Sequence, residues 1–396
     1  MNTNQPIYMD HIAASPVRTE VLEVMLPLLR EGFGNPQSVH QRGQEAAEVL
    51  GGAREQVAAL VGAAPSDVIF TATGSESNNL AIKGIARARR KKSNRVIVSA
   101  IEHHSILNPA KALTQEGFEL VVLPVDGHGL VSVDVLKDAL ADGAAVVSII
   151  HASTEIGTIE PIAELAAICR EHHIPMHTDA WGSAGTIPVD MKELGVQAVT
   201  VAGQNFRGPP GASALVIGRG TPAKPIIAGG IQEKGIRAGQ ENIPAIAGMG
   251  KAAELAGREM EDLSARLMII RDALISRLPA EIDDVIITGH PTMRLPNHAS
   301  FCVKYIEGEG LLLFLDQSDI MAASGSACTS KSLKASHVLD AIGLDAATAQ
   351  GSIVFTLGRE NKIEDVDRIS SVIKPVVSRL REMSPLYKRK EDGSLQ

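Results

Sequence analysis

The sequence predicts an α/β protein built from a large, doubly wound, mostly parallel sheet domain and a small α+β C-terminal domain. Three observations support this. Short, continuously apolar runs alternate with segments of helical periodicity, as in strands joined by crossover helices. The apolar runs lack the alternation of a half-exposed sheet, so we expect both faces to be covered. Polar residues collect where the apolar runs end, which is where such sheets bind ligands.

The elements of the large domain follow in order. A helix opens at Pro16, because Val21, Met25 and Leu29 recur on one helical face. A loop at 32–36 leads to a second helix over roughly 41–61. The later segments alternate regularly: strands are predicted at 67–70, 95–98, 120–123, 145–150, 174–177 and 198–202, and helices at 77–90, 106–116, 133–141 and 162–172. A Gly-Pro-Pro-Gly turn at 208–211 then separates the last of these strands from another apolar run.

A long helical segment at 253–278 carries the chain into the small domain. Strands are predicted there at 285–287, 298–303 and 352–357, helices at 306–316 and 362–381, and a loop of small residues at 324–330. We assign residues 17–255 to the large domain. Residues 1–16 and 256–396 form the small domain, which carries the Cys328 loop.

The composition excludes several classes of protein. The formal net charge of −8 argues against non-specific binding of nucleic acid. No apolar run is long enough to span a membrane, and the first residues lack the pattern of a signal peptide. Three cysteines in 396 residues are too few and too odd in number for a disulfide framework. The expected location is therefore the cytoplasm.

Two strand ends carry candidate ligand-binding residues. Gly74 and Ser75 lie between a predicted strand and a helix, a junction that favours anions; the alternative is an empty helix end with Ser75 as its N-cap. Asp179 follows another strand, where a carboxylate can pair with a protonated ring nitrogen of a cofactor such as pyridoxal phosphate (PLP). The alternative for Asp179 is also a helix N-cap.

A histidine and a cysteine are candidates for chemistry. His103 follows a strand, where it can stack on a flat cofactor or act as an acid or base; the alternative is a structural histidine. Cys328 lies among Gly, Ser, Ala and Thr, so its thiol is expected to be open to attack, persulfide formation or metal binding. Cys169 and Cys302 lie in apolar segments and are expected to act as small buried hydrophobes.

Many short motifs occur in a characteristic order. They include Phe33-Gly34-Asn35-Pro36, Thr73-Gly74-Ser75-Glu76-Ser77-Asn78-Asn79, Glu102-His103, Glu155-Ile156-Gly157, His177-Thr178-Asp179-Ala180, Gly208-Pro209, Gly229-Gly230-Ile231-Gln232-Glu233, Arg237-Ala238-Gly239, Ser324-Gly325-Ser326-Ala327-Cys328, Ser336-His337-Val338-Leu339 and Leu357-Gly358-Arg359. Together they resemble the cysteine desulfurases of iron–sulfur assembly, within the class V aminotransferase group of fold-type I PLP proteins. The resemblance covers essentially the whole chain and implies a fold-type I, PLP-transferase-like fold.

The resemblance also implies residues that this chain lacks. The lysine that binds PLP as a Schiff base is Asn205 here, and the histidine that reaches the phosphate is Gln204. Other expected polar residues are replaced by Ala202, Thr154, Gly182, Gln240 and Val354. Without an amine at position 205 no internal aldimine forms. Asp179, His103, the Gly74-Ser75 turn and Cys328 are retained.

We therefore formulate three hypotheses. In the first, the chain is a homodimeric desulfurase-like protein without desulfurase activity, which pairs with a scaffold protein and supplies Cys328 as a ligand of a shared [2Fe–2S] cluster. In the second, it binds PLP without a covalent bond and mobilises sulfur from cysteine as a Cys328 persulfide. In the third, the pocket has been refitted for another anionic ligand at Gly74-Ser75, or the chain is a regulatory subunit.

Overall fold

The computed structural model describes residues 5–325 and 336–391. The strands are β1 Ile7–Tyr8, β2 Val68–Thr71, β3 Arg95–Ser99, β4 Glu119–Leu123, β5 Val146–Ser148, β6 Met176–Asp179, β7 Ala198–Ala202, β8 Ser213–Ile217, β9 Val285–Ile287, β10 His298–Val303, β11 Ile320–Met321 and β12 Ser352–Thr356. The α-helices are α1 Thr19–Arg30, α2 Gln41–Leu60, α3 Gly74–Asn79, α4 Ile85–Arg89, α5 His104–Thr114, α6 Val133–Leu140, α7 Ile162–Glu171, α8 Met191–Leu194, α9 Ile243–Glu281, α10 Gly308–Asp316, α11 His337–Ala341, α12 Ala346–Gln350, α13 Glu364–Met383 and α14 Pro385–Glu391.

A seven-stranded sheet with the order β2-β8-β7-β6-β5-β3-β4 forms the centre of the protein. The pairs from β7 to β4 are all parallel, and β8 pairs antiparallel with both β7 and β2. Strand β8 therefore runs against the other six. The carboxyl ends of those six strands meet at one edge, which confirms the predicted mostly parallel sheet.

Both faces of this sheet are covered, as the apolar strands predicted. In β3, Ile97 packs into one hydrophobic cluster, whereas Val96 and Val98 pack into another on the opposite face. All three side chains are buried. Because a strand with two buried faces needs apolar residues at every position, its sequence shows no alternation.

A separate hydrophobic cluster unites the C-terminal elements with the start of the described chain. Strands β12, β10 and β9 form a three-stranded antiparallel sheet, and β1 pairs with β11. Ile7 and Met9 pack with residues of α9, α10 and α13 in this cluster. Helix α9 gives its first half to the core of the large sheet and its second half to the C-terminal cluster. The domain boundary at 255/256 stays a prediction, and one continuous helix crosses it.

Several predicted boundaries are wrong, for local reasons. Helix α1 begins at Thr19 and not at Pro16. Helix α9 begins about ten residues before the predicted start, because the Asn242 side chain accepts the backbone N–H of Ala245 and so caps the helix there. The predicted helix at 77–90 begins earlier and contains a π-helical turn over Leu80–Gly84. Among the described residues, no helix is both long and apolar enough to cross a membrane.

Candidate functional site

A cavity of about 210 Å³ lies at the edge where the six strands end. Its lining comes from the segments that follow β2, β3, β5, β6 and β7: Thr73, Gly74, Ser75, Asn78, His103, Ser105, Ile150, Thr154, Asp179, Trp181, Gly182 and Gln204. The structure thus brings together four predicted site residues, Gly74, Ser75, His103 and Asp179. They are far apart in sequence, and the common strand direction places them together.

Asp179 forms the buried floor of this cavity. Its Oδ2 accepts a hydrogen bond from Asn78 Nδ2 at 2.6 Å, and its Oδ1 accepts the backbone N–H of Trp181 at 3.0 Å. Burial raises the pKa of Asp179 to about 6, although both hydrogen bonds favour the charged form. A carboxylate so poorly solvated gains from a cationic or N–H-donating ligand. The bond from the Trp181 N–H closes a turn, and no helix begins at these described residues, because the next helix is α8 with Asp190 as its N-cap; the N-cap alternative considered for Asp179 is therefore wrong.

The N-cap alternative proposed for Ser75 is wrong. Thr73 is the N-cap of α3, and its Oγ1 accepts the backbone N–H of Glu76 at 3.1 Å. Ser75 instead lies in the first turn of the helix, beside the cavity. The Trp181 indole packs directly on Gly74, where an added Cβ would lie 2.6 Å from Trp181 Cδ1. Gly74 is therefore the residue that gives the indole room.

His103 stands at the N-terminus of α5 and borders the cavity. Its Nδ1 accepts the backbone N–H of Ser105 at 3.1 Å, which fixes the ring at the helix end. Ser105 Oγ in turn accepts a hydrogen bond from Asn78 Nδ2 at 2.8 Å. A short polar chain therefore links His103, through Ser105 and Asn78, to Asp179.

Asn205 is not among the residues that line this cavity. It lies in the short 3-10 helix Gly203–Phe206 after β7, and its side-chain amide donates to the carbonyl of Trp181. It borders a neighbouring cavity, which also contains Arg18, Glu259 and Arg359. Gln204 lines the Asp179 cavity instead. The sequence placed Asn205 with the cofactor-binding residues, whereas in the structure its amide is engaged by the Trp181 carbonyl and Asn205 does not line the Asp179 cavity.

A second cavity of about 190 Å³ adjoins the first and shares His103 and Trp181 with it. Ser324, Gly325, Ser336 and His337 are among its lining residues, so the described residues on both sides of the segment that contains Cys328 border it. Cys328 itself lies outside the described residues. Within the described ranges no group of three or more His, Cys, Asp or Glu side chains is arranged to hold a metal ion.

Glu102 is a buried carboxylate that joins the ends of two strands below this second cavity. Its Oε1 accepts bonds from Ser99 Oγ at 2.6 Å and from the Ile150 backbone N–H at 2.7 Å, while its Oε2 has no hydrogen-bond partner. Burial raises the pKa of Glu102 to about 8, and burial raises the pKa values of Glu155 and Glu160 to about 8 as well. These three glutamates are thus expected to be protonated at neutral pH in the folded protein.

The Glu102→Gln variant is expected to lose less stability than the wild type as the pH rises. The folded-state pKa is above the ordinary value of 4.5, so the stability that Glu102 contributes is fully present below pH 4.5 and is lost towards about pH 8. Urea unfolding at several pH values should give the variant a slope shallower by about 1 kcal/mol per pH unit between about pH 5 and 8. The same change at exposed Glu171 is the control. Equal slopes for wild type and Glu102→Gln would contradict this assignment.

Comparison with known proteins identifies the family. The model of the family described as aminotransferase class-V matches residues 7–369 of the chain. The chain belongs to the class-V aminotransferase family. It is 45% identical over 383 residues to a protein named cysteine desulfurase IscS from Methanosarcina thermophila, covering 97% of this chain and 95% of that protein. It is 44% identical to cysteine desulfurase IscS 1 from Archaeoglobus fulgidus, covering 96% of this chain and all of that protein.

Solved structures of this class-V aminotransferase group share the fold. A structure described as a NifS-like protein superposes with a TM-score of 0.88 at 33% identity, covering 95% of this chain and all of the other. A NifS-like protein from Rickettsia africae gives a TM-score of 0.86 at 29% identity, covering 94% of this chain and all of the other. The predicted PLP-transferase-like fold is thereby confirmed.

PLP is the cofactor of the class-V aminotransferases, so the cavity can be tested against its chemistry. At one end, Asp179 and the unpartnered buried Oδ1 of Asn78 fit a ring that donates an N–H. The described residues that line the cavity include no lysine for a covalent bond. At the other end, Trp181 covers Gly74, where the sequence predicts an anion. The lining therefore fits the ring of the cofactor and lacks its covalent anchor.

Sequence reasoning missed the part played by Trp181 and Asn78. Trp181 follows Asp179 by two residues and is the single tryptophan of the chain, so its position beside a strand end was visible. Its contact with Gly74, which lies more than 100 positions earlier in the chain, could not be seen in the sequence. Asn78 lies within a helix, and only the meeting of α3 with β6 shows that it bonds the aspartate.

Proposed function

We propose that this protein serves iron–sulfur cluster assembly as a cysteine-desulfurase-like subunit that does not itself release sulfur from cysteine. It would pair with a scaffold protein through its small domain and C-terminal end, and supply Cys328 as a ligand of a shared [2Fe–2S] cluster. The residue that carries this proposal is Asn205. An amide is no nucleophile at any working pH. The Asn205 amide also donates to the Trp181 carbonyl, and Asn205 is not among the residues that line the Asp179 cavity.

Cys328 is the group to which we assign the remaining chemistry. Cysteine thiolates are the usual ligands of iron–sulfur clusters, because soft sulfur ligands bind the iron of these clusters well. Cys169 and Cys302 are both buried, and burial raises the pKa of each thiol to about 12, so neither is a suitable ligand. Gly325 and Ser336, the described residues that flank the segment containing Cys328, line the second cavity.

A second candidate function is PLP-dependent cysteine desulfurase activity. The comparisons favour this candidate over the first. The two relatives named above match nearly the whole chain, and both are named cysteine desulfurases without any indication of lost activity. In this reaction the sulfur of free cysteine passes to the Cys328 thiol as a persulfide, and alanine is released. The retained Asp179 and His103 support it, because they line the ring end of the cavity.

The absorbance spectrum of anaerobically purified protein, alone and with a scaffold protein, separates the two candidates. The first predicts no PLP band, no alanine from cysteine, and cluster absorbance in the complex. A PLP band together with alanine release would sink the first candidate and establish the second. We expect Asn205→Lys to restore little desulfurase activity, because Gln204, Ala202 and Val354 remain unchanged.

The protein is also expected to be a homodimer with a cytoplasmic location. Leu22, Leu26 and Leu29 form an exposed stripe along one face of α1, and Phe33, three residues beyond the end of this helix, has 74% of its surface exposed. A stripe of this kind is typical of an interface. A reducing compartment suits a protein whose buried cysteines Cys169 and Cys302 are both free.

Light scattering after size exclusion is expected to give a mass of twice 41.8 kDa for the wild type. Leu29→Glu should shift the protein towards the monomer, because burying an unpaired charge in an interface is costly. Ile269→Glu places the same charge on an exposed isoleucine of α9 and should leave the dimer intact. A wild-type mass of 41.8 kDa, or a dimer unaffected by Leu29→Glu, would contradict the proposed interface.

A further inference from the structure

The cavity above Asp179 has two chemically different ends. At the floor, Asp179 is 3% exposed and Asn78 is 1% exposed. Both hydrogen bonds of Asn78 Nδ2 are used, on Asp179 and Ser105, while its Oδ1 is buried without a partner. The floor therefore presents only acceptors to the cavity, a carboxylate and an amide oxygen. Buried acceptors of this kind are satisfied by a ligand that donates N–H groups.

The opposite end is closed by Trp181. The position of a Cβ on Gly74 would be 2.6 Å from Cδ1 and 3.2 Å from Nε1 of the indole, so the ring lies against the first residue of α3. A phosphate needs hydrogen-bond donors and space at such a turn. The indole occupies that space with its Cδ1 and Nε1 atoms nearest Gly74, and Gln204, which also lines the cavity, carries no charge.

The backbone of Trp181 is held from two sides. Its N–H donates to Asp179 Oδ1 at 3.0 Å, and its carbonyl accepts the Asn205 amide. Gly182, the next residue, lies so close to Thr154 that an added Cβ would be 2.4 Å from Thr154 Cγ2. The segment that carries the indole is thus tied to both the floor of the cavity and the segment after β7.

We propose that Trp181 excludes phosphate-bearing ligands from this cavity, and that the cavity takes instead a flat, phosphate-free heteroaromatic ring that donates an N–H to Asp179. In this arrangement Asn205 is a positioning residue, because it acts through the Trp181 carbonyl. Gly74 is required because a larger side chain would displace the indole. The ligand class follows from the acceptors at the floor and the apolar wall above them.

The exclusion of phosphate from this cavity does not depend on Cys328 or on the scaffold protein. A cluster that forms, or fails to form, at Cys328 leaves it untouched. A cavity that binds the phosphorylated ring would overturn it without deciding whether Cys328 ligates iron. The two proposals can therefore fail separately.

The test uses pyridoxamine and pyridoxamine 5′-phosphate, which differ only by the phosphate and carry no aldehyde to react with surface lysines. Trp181 is the single tryptophan, so intrinsic fluorescence reports on this cavity in the full-length protein. For the wild type we expect pyridoxamine to change the fluorescence and to bind at least about tenfold more tightly than its phosphate ester. Asp179→Asn should weaken pyridoxamine by about tenfold or more, because it removes a charge-assisted hydrogen bond.

Equilibrium dialysis extends the test to variants without the tryptophan. Trp181→Ala is expected to bind pyridoxamine 5′-phosphate at least about tenfold more tightly than the wild type, because the Gly74 end is then open. Trp181→Phe keeps an aromatic wall and should still exclude the phosphate, which controls for folding defects. The proposal is overturned if the wild type binds the phosphate ester as tightly as pyridoxamine, if it binds neither, or if Trp181→Ala gains nothing.

Discussion

Replacing Cys328 by serine is expected to reduce the iron–sulfur cluster held by the complex with a scaffold protein by about tenfold or more. A serine hydroxyl is a hard, protonated group at neutral pH, whereas a cysteine offers a thiolate that suits iron. The measurement is iron and sulfide content per complex, with the visible absorbance, after anaerobic reconstitution. Binding of the scaffold protein itself should persist, because the change only exchanges one sulfur atom for oxygen.

Cys302→Ala is the matched control for this result. Cys302 lies in β10 and is fully buried, so removing its thiol is expected to leave the cluster unchanged. If reconstituted Cys328→Ser complex carries as much cluster as the wild type, Cys328 is not a ligand. The desulfurase candidate is the correct one if the wild type contains PLP and releases alanine from cysteine, and if Cys328→Ser abolishes that release.

Arg54→Ala is expected to lower the free energy of unfolding by about 3–5 kcal/mol. The Glu233 side chain is 2% exposed, and both of its oxygens bond the Arg54 guanidinium, at 2.6 and 2.9 Å. The backbone N–H of Phe70 also donates to Glu233, which ties the turn around this glutamate to β2. Without Arg54 the carboxylate remains buried and unpaired. Urea unfolding followed by circular dichroism measures the loss.

The Arg87–Glu116 pair provides the comparison. Its bond length is also 2.6 Å, but the two side chains are 33% and 36% exposed. Water already solvates this pair, so Arg87→Ala should cost less than about 1 kcal/mol. If Arg54→Ala and Arg87→Ala lower the free energy of unfolding by similar amounts, burial of the Glu233 carboxylate does not increase the cost of losing its partner.

Much of the fold could be predicted from the sequence because its strands are buried on both faces. Strands such as β9 and β10 were predicted at their observed bounds, and α2 within one residue of its end. The error at the start of α9 is larger than those at the strands, and it arises because the Asn242 side chain caps the helix there. Strand bounds were also missed: β6, predicted at 174–177, is Met176–Asp179, and β5, predicted at 145–150, is Val146–Ser148.

The individual residues of the candidate site could be predicted from the sequence, but the orientation of their side chains could not. Gly74, Ser75, His103 and Asp179 were each identified from their places at strand ends, and the shared direction of the strands brings them to one cavity. Asn205 follows β7 in the same way, yet its side chain turns to the Trp181 carbonyl. The orientation of a side chain depends on which neighbour offers an acceptor, and a linear pattern does not contain that.

The family resemblance, the alternation of strands and helices, and the prediction that Asn205 stands at the place of the cofactor lysine could all be obtained from the sequence alone. Each depends on residue identity and spacing along the chain. The contact of Trp181 with Gly74 and the buried, unpartnered Oδ1 of Asn78 became visible only in the folded structure. Those contacts join residues from different strand ends, and they exist only once the sheet has set the distances between them.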